Sequence, residues 1–284
     1  MESVTLRCDL HDSVVRRTRL TDYMDRNVLA PDGFCCSSAH ECRASAMRRA
    51  APIDFAAGQL SHLGQHYDVY EGDVALRVLV IAMETGRSDA GITLPMRRRQ
   101  VLDHSAALPP RARNPHMVGV THTLRTMFGR PIGDDAAGEH LNFGSGHDLV
   151  HLFDAFAMAN VRLCTSVKAG TTQSYPTALM TQNCVRHLVE TVRILQPSVC
   201  IVQSTRIPKA LASAVTSRRQ ISPNLAEVSM GGVCTLMAEF SHPTAHAELN
   251  WGRWTNMPYL QNTVIPTLTE ARAALGLAQT RSPQ

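Results

Sequence analysis

Four short runs of apolar and β-branched residues, at 77–83, 156–164, 198–204 and 233–240, are the feature that most limits what this chain can become. Each is short for a helix and is bounded by Gly, Pro or a polar cluster, so each reads as a buried strand. Helical patterns lie between and after them, at 117–128, 184–195, 208–215 and 263–277. In the second of these Val185, Leu188, Val189, Val192 and Leu195 recur at three- and four-residue intervals, which makes one apolar stripe. Strands that alternate with helices pair in parallel through right-handed crossovers. The expected fold class is therefore α/β, a three-layer α/β/α sandwich around a central, mainly parallel four-stranded sheet.

In such sheets ligands gather beyond the carboxyl ends of the strands. The loops there carry Glu84, Thr85, Gly86 and Asp89 after the first run, Cys164 after the second, Thr205 and Arg206 after the third, and His242, Thr244 and His246 after the last. Residues 1–75 show weak periodicity and hold Cys35, Cys36 and Cys42, and they read as an N-terminal extension packed on an α/β domain of residues 76–284.

Hydrophobic residues make up 44% and charged residues 18%, which excludes wholesale disorder. No run approaches a bilayer span. Glu2, Arg7, Asp9 and Asp12 interrupt any apolar leader, so neither a membrane segment nor export is expected. Eight cysteines in that context read as thiols, metal ligands or core fillers in a reducing cytoplasm. The net charge is +4 and all basic residues except Lys168 and Lys209 are Arg, a composition suited to phosphates and base edges. Gly-x-Ser-x-Gly, Gly-x-Gly-x-x-Gly and P-loop motifs are missing from the sequence, which lowers the prospects of an unrelated doubly wound hydrolase or redox protein.

The ordered set Asn160-Val161-Arg162-Leu163-Cys164, then Cys184 in the next helix, then a strand at 198–204, then His242-Pro243-Thr244, resembles the uracil-DNA glycosylase superfamily. It is most similar to the bacterial and archaeal branch that carries a four-iron four-sulfur cluster. The resemblance spans about residues 76–246, with the segment 35–42. It implies a DNA glycosylase that flips uracil out of single- or double-stranded DNA and hydrolyses its glycosidic bond in base-excision repair, acting as a monomer. A uracil- or abasic-site binder of the same fold with little turnover is the alternative.

By that resemblance His242 donates to the uracil O2, and the loop of Met83, Thr85 and Gly86 lines the base pocket. The family's Gly-Glu-Ala-Pro-Gly is here Ala82-Met83-Glu84-Thr85-Gly86, so Glu84 lies one place late; it and Asp89 are both candidates to orient the water. Asn160 would read the base, since a carboxamide matches both the O4 acceptor and the N3–H donor of uracil. The family's stacking aromatic is absent from its usual place, and Phe143 or Tyr70 would have to supply it. Thr244, His246 and Leu249 would enter the minor groove with Leu249 as wedge. Phosphate contacts would come from Arg97, Arg98 and Arg99, with the segments at 111–113 and 218–219. Cys36, Cys42, Cys164 and Cys184 would hold a structural 4Fe-4S cluster, with Cys35 competing with Cys36, and zinc or no metal as alternatives.

Overall fold

The computed structural model describes residues 5–86, 89–144 and 149–277. One sheet contains the strands β1 (His62–Leu63), β2 (Val78–Ala82), β3 (Ala157–Asn160), β4 (Val199–Gln203), β5 (Val215–Ser222), β6 (Leu225–Met230) and β7 (Val233–Phe240). Their order is β5-β6-β7-β4-β2-β3-β1. The four strands expected from the sequence lie together at the centre and run parallel.

The expected four-stranded sheet is corrected to a mixed sheet of seven. An antiparallel hairpin, β5 and β6, extends one edge, and the antiparallel β1 closes the other. The additions are edge features whose sequences lack a continuous apolar run: β5 is mostly solvent-facing, and β1 is two residues long. Gly231 and Gly232, with φ of 60° and 76°, form the two-residue turn between β6 and β7, where left-handed backbone at both positions suits the twist of a hairpin.

Alternation along β2 explains the layers. Val78 and Val80 join a core with α4 (Pro115–Met127) and α7 (Ile265–Ala274), while Leu79 and Ile81 join a second core with α1 (Leu10–Asn27), α5 (Ala178–Leu195) and α6 (Ile207–Leu211). A strand buried on both faces must be apolar at every position, which is why this one was legible. Residues of the N-terminal 75 contribute to both cores: Leu6 and Val69 to the first, Leu20, Met24 and Tyr67 to the second. The strand Ile53–Ala56 also pairs antiparallel with Thr165–Lys168, directly after Cys164.

The triple arginine lies on a helix, α3 (Leu94–Asp103), whose N-cap Thr93 accepts a hydrogen bond from the Met96 amide. The helix turns Leu94, Arg97 and Val101 inward together. Arg97 is thus buried rather than offered to a phosphate backbone. Arg98 is held by both oxygens of Asp154, and Arg99 alone of the three is exposed. The other basic segments are likewise engaged: Arg111 with Asp134, Arg113 with the buried Glu139, Arg218 with Glu239 and Arg219 with Glu227. Among the described residues no helix is long and apolar enough to cross a membrane.

Candidate functional site

A cavity of about 1240 Å³ opens where β2, β3, β4 and β7 end. Residues 82–86 follow β2, Asn160 and Arg162 stand at the end of β3, residues 204–206 follow β4, and Ser241 and His242 follow β7. The carboxyl end of α3 and the amino end of α4 close one side, and residues leading into α5 close the other. Asn160 and His242, 82 positions apart in sequence, therefore face one hollow.

His242 is positioned from below. Pro243 packs where only glycine fits, because a Cβ on Gly119 would lie 2.7 Å from the proline ring and one on Gly252 2.8 Å from it. The buried Trp251 donates its indole N–H to the Ser241 carbonyl, so it packs beneath the loop, while Trp254 is exposed. The Thr244 backbone N–H donates to Nδ1 of His242 at 3.1 Å, and the Thr244 hydroxyl lies 2.7 Å from the same nitrogen. An amide can only donate, so Nδ1 is the acceptor and a neutral ring carries its proton on Nε2. Although the ring reaches solvent at the cavity mouth, its packed flank holds its pKa below the ordinary histidine value through desolvation. His116, the second residue of α4, stacks on it with centroids 5.9 Å apart and planes 13° apart. Burial lowers the pKa of His116 to about 4. Together the two rings form a neutral wall. The sequence pointed to a helix from residue 117 and missed His116, although Asn114-Pro115 is an N-cap followed by a first-turn proline.

The amide nitrogen of Asn160 donates to Thr85 Oγ1 at 3.0 Å, which orients the carboxamide at the strand end. Met83, Thr85 and Gly86 line the same cavity. Glu84 also lines it, but Arg162 Nε donates to one carboxylate oxygen at 2.8 Å and the Ser174 hydroxyl donates to the other. Its pKa is nonetheless raised, because desolvation outweighs the opposing Arg162 charge. Asp89 is exposed and outside the lining. Asp103, which the sequence did not single out, lines the cavity next to His104. Neither Phe143 nor Tyr70 does: Phe143 stacks on His66, and Tyr70 lies under Arg7. The ring faces in the lining are His104, His116 and His242. Thr244 and His246 are exposed beside the mouth, and Leu249 stands at its rim, 49% exposed.

On the opposite flank of β3, four cysteines converge. Cys42, on α2 (Ala39–Met47), and Cys164 pack together with Met180. Ionised, Cys36, Cys42 and Cys184 would each repel charge on Cys164, so the four thiols share one electrostatic neighbourhood. Burial pushes the Cys164 and Cys42 thiols up, and Cys184 to about 11. Each sulfur has an N–H donor: the Gly58 amide for Cys164, the Leu163 amide for Cys184, the Asn183 side chain for Cys42 and Arg186 for Cys36. Cys35 points elsewhere, to the Asp25 carbonyl. N–H groups aimed at four sulfurs, the one on Cys36 from an exposed arginine, suit thiolates that share a cluster. Among the described residues no group of three or more His, Cys, Asp or Glu side chains is arranged to hold a metal ion. Compared with known proteins, the chain matches no family model and no curated sequence.

Proposed function

We propose that the chain excises uracil from DNA, cleaving the bond between C1′ and N1 and leaving an abasic site. The observation that carries this reading is the presence of Asn160 and His242 in one cavity, at the ends of the outer two of the four parallel strands. A flipped pyrimidine seated there would meet the carboxamide on its Watson–Crick edge and the Nε2–H of His242 near O2. As the C1′–N1 bond breaks, its electron pair leaves with the base and spreads onto the ring oxygens. A preorganised N–H donor stabilises that charge better than the neutral ground state. Water then bonds to C1′ and the proton it sheds neutralises the base anion. The hydrogen bonds of Glu84 to Arg162 and Ser174 leave Asp103 as the lining carboxylate that, among the described residues, has no ion pair and can orient that water.

The engagement of Glu84 also favours a second reading, a uracil or abasic-site binder with little turnover. Single-turnover incubation with a uracil-bearing oligonucleotide separates the two: alkali-labile ends support excision, and a retained gel shift without them supports the binder.

Cys36, Cys42, Cys164 and Cys184 are proposed to hold a 4Fe-4S cluster, which when bound would brace the N-terminal residues against β3 and α5. Cys164→Ala is expected to remove the visible absorbance and the bound iron of anaerobically purified protein. A colourless wild-type preparation made the same way would defeat the iron proposal.

A further inference from the structure

We propose that Arg97 is the counter-charge of this cavity, and that the group it takes is the carbonyl oxygen of the base on which negative charge gathers as the base departs. This deepens the excision reading and rests on it.

Five arginines are buried among the described residues: Arg97, Arg113, Arg125, Arg162 and Arg272. Four of them pair with a carboxylate, respectively Glu139, Asp135, Glu84 and Glu71 for the last four. Arg97, 8% exposed, instead donates to neutral acceptors, namely the Leu60 carbonyl at 3.2 Å, the Gln100 side chain at 2.9 Å and the Gln59 side chain at 3.0 Å. A desolvated cation without a carboxylate is unfavourable, and the arrangement is complementary to an anion that arrives from outside. Arg97 also lines the cavity, and its guanidinium reaches Thr85 Oγ1 at 3.5 Å, the atom that receives the Asn160 amide at 3.0 Å. The base edge read by Asn160 therefore lies beside the guanidinium. Arg97 can only donate, so it suits the carbonyl of uracil and opposes the amino group of cytosine. His242 faces the other end of the cavity's polar lining, and the two groups would divide the developing charge between two oxygens.

The test compares wild type with Arg97→Gln in single-turnover excision of uracil and of 5-fluorouracil, the more acidic leaving group. The expected result is a loss of about 10²-fold on uracil and a clearly smaller loss on 5-fluorouracil, with Tm unchanged or raised because an unpaired buried cation has gone. Equal losses on both bases with a lowered Tm would mark Arg97 as structural and overturn the proposal. Binding of free uracil by calorimetry gives an arm independent of turnover. If the wild type excises neither base, the excision reading has failed; a tenfold weaker affinity of Arg97→Gln for uracil then still supports the counter-charge, and equal affinity, or no binding to either protein, overturns it as well.

Discussion

Replacing His242 with alanine is expected to lower single-turnover excision of uracil by about 10²–10³-fold, the loss typical of removing one preorganised donor from a developing anion. Affinity for the uracil-bearing oligonucleotide should change by no more than about threefold, because the donor acts mainly on charge absent from the ground state. The argument rests on the tautomer. Thr244 donates its amide to Nδ1, which leaves the Nε2 proton directed away from that bond, and protonation of the ring would break the contact. Since desolvation lowers the His242 pKa, the neutral donor should remain the working form below the ordinary histidine value, and excision should hold its rate there until the fold itself gives way. Stopped single-turnover reactions across this range measure both effects. Unchanged rates in His242→Ala would remove the imidazole from the chemistry, and an equal loss of binding would make it a structural prop.

The central strands and one end of the site were legible for one physical reason. A strand covered by helices on both faces has no polar position to spare, so β2 and β4 appear as unbroken apolar runs, and the polar residues that end such strands stand out against them. His242 was reached in this way, in the loop after the last run, whereas Asn160 was reached through the resemblance of residues 160–164 to the glycosylase motif. The edge hairpin was hidden because β5 faces water with Thr216, Arg218 and Gln220, and nothing in that pattern demands a sheet. Arg97 was misread for a related reason. Three consecutive arginines look like a solvated surface, but consecutive residues on a helix point about 100° apart. One therefore joins Leu94 and Val101 in the interior, the next meets Asp154 and the third meets solvent. The Thr93 cap and Pro95 were the available signals of that helix. The two carboxylates weighed for water activation show the limit of loop position as a guide. Glu84 lies in the expected loop, yet its neighbours Arg162 and Ser174 decide what its oxygens can do, and those neighbours come from other parts of the chain.

Acid is expected to unfold this protein within the window from pH 6.5 down to about 4, above the range in which carboxylates usually govern acid denaturation. His62 and His122 are buried and burial lowers each from 6.5 to about 4. The causes are on view: His62 bonds the Phe153 carbonyl through Nε2 at 2.7 Å while its Nδ1 has no partner, and both ring nitrogens of His122 are buried without one. Between those two pH values the unfolded chain binds these protons and the folded chain does not, so stability present above pH 6.5 is lost as pH falls. A displacement from 6.5 to about 4 corresponds to roughly 3 kcal/mol for each ring once pH is at or below the folded value. Two such rings remove a large share of the 5–15 kcal/mol that about holds a domain folded. His116 acts in the same direction with less weight, since its ring borders the cavity. Glu139, held at about 2 by His151 and Arg113 against its burial, gives up its stabilisation only as pH falls from its unfolded value of 4.5 toward 2. The two classes therefore separate by pH. Fluorescence of the buried Trp251 and far-ultraviolet circular dichroism should report one transition with its midpoint between pH 4 and 6.5. His122→Leu, which removes one proton-uptake site and two unsatisfied nitrogens, should move that midpoint to lower pH. A midpoint below pH 3.5, or one that His122→Leu leaves in place, would return control of acid stability to the carboxylates.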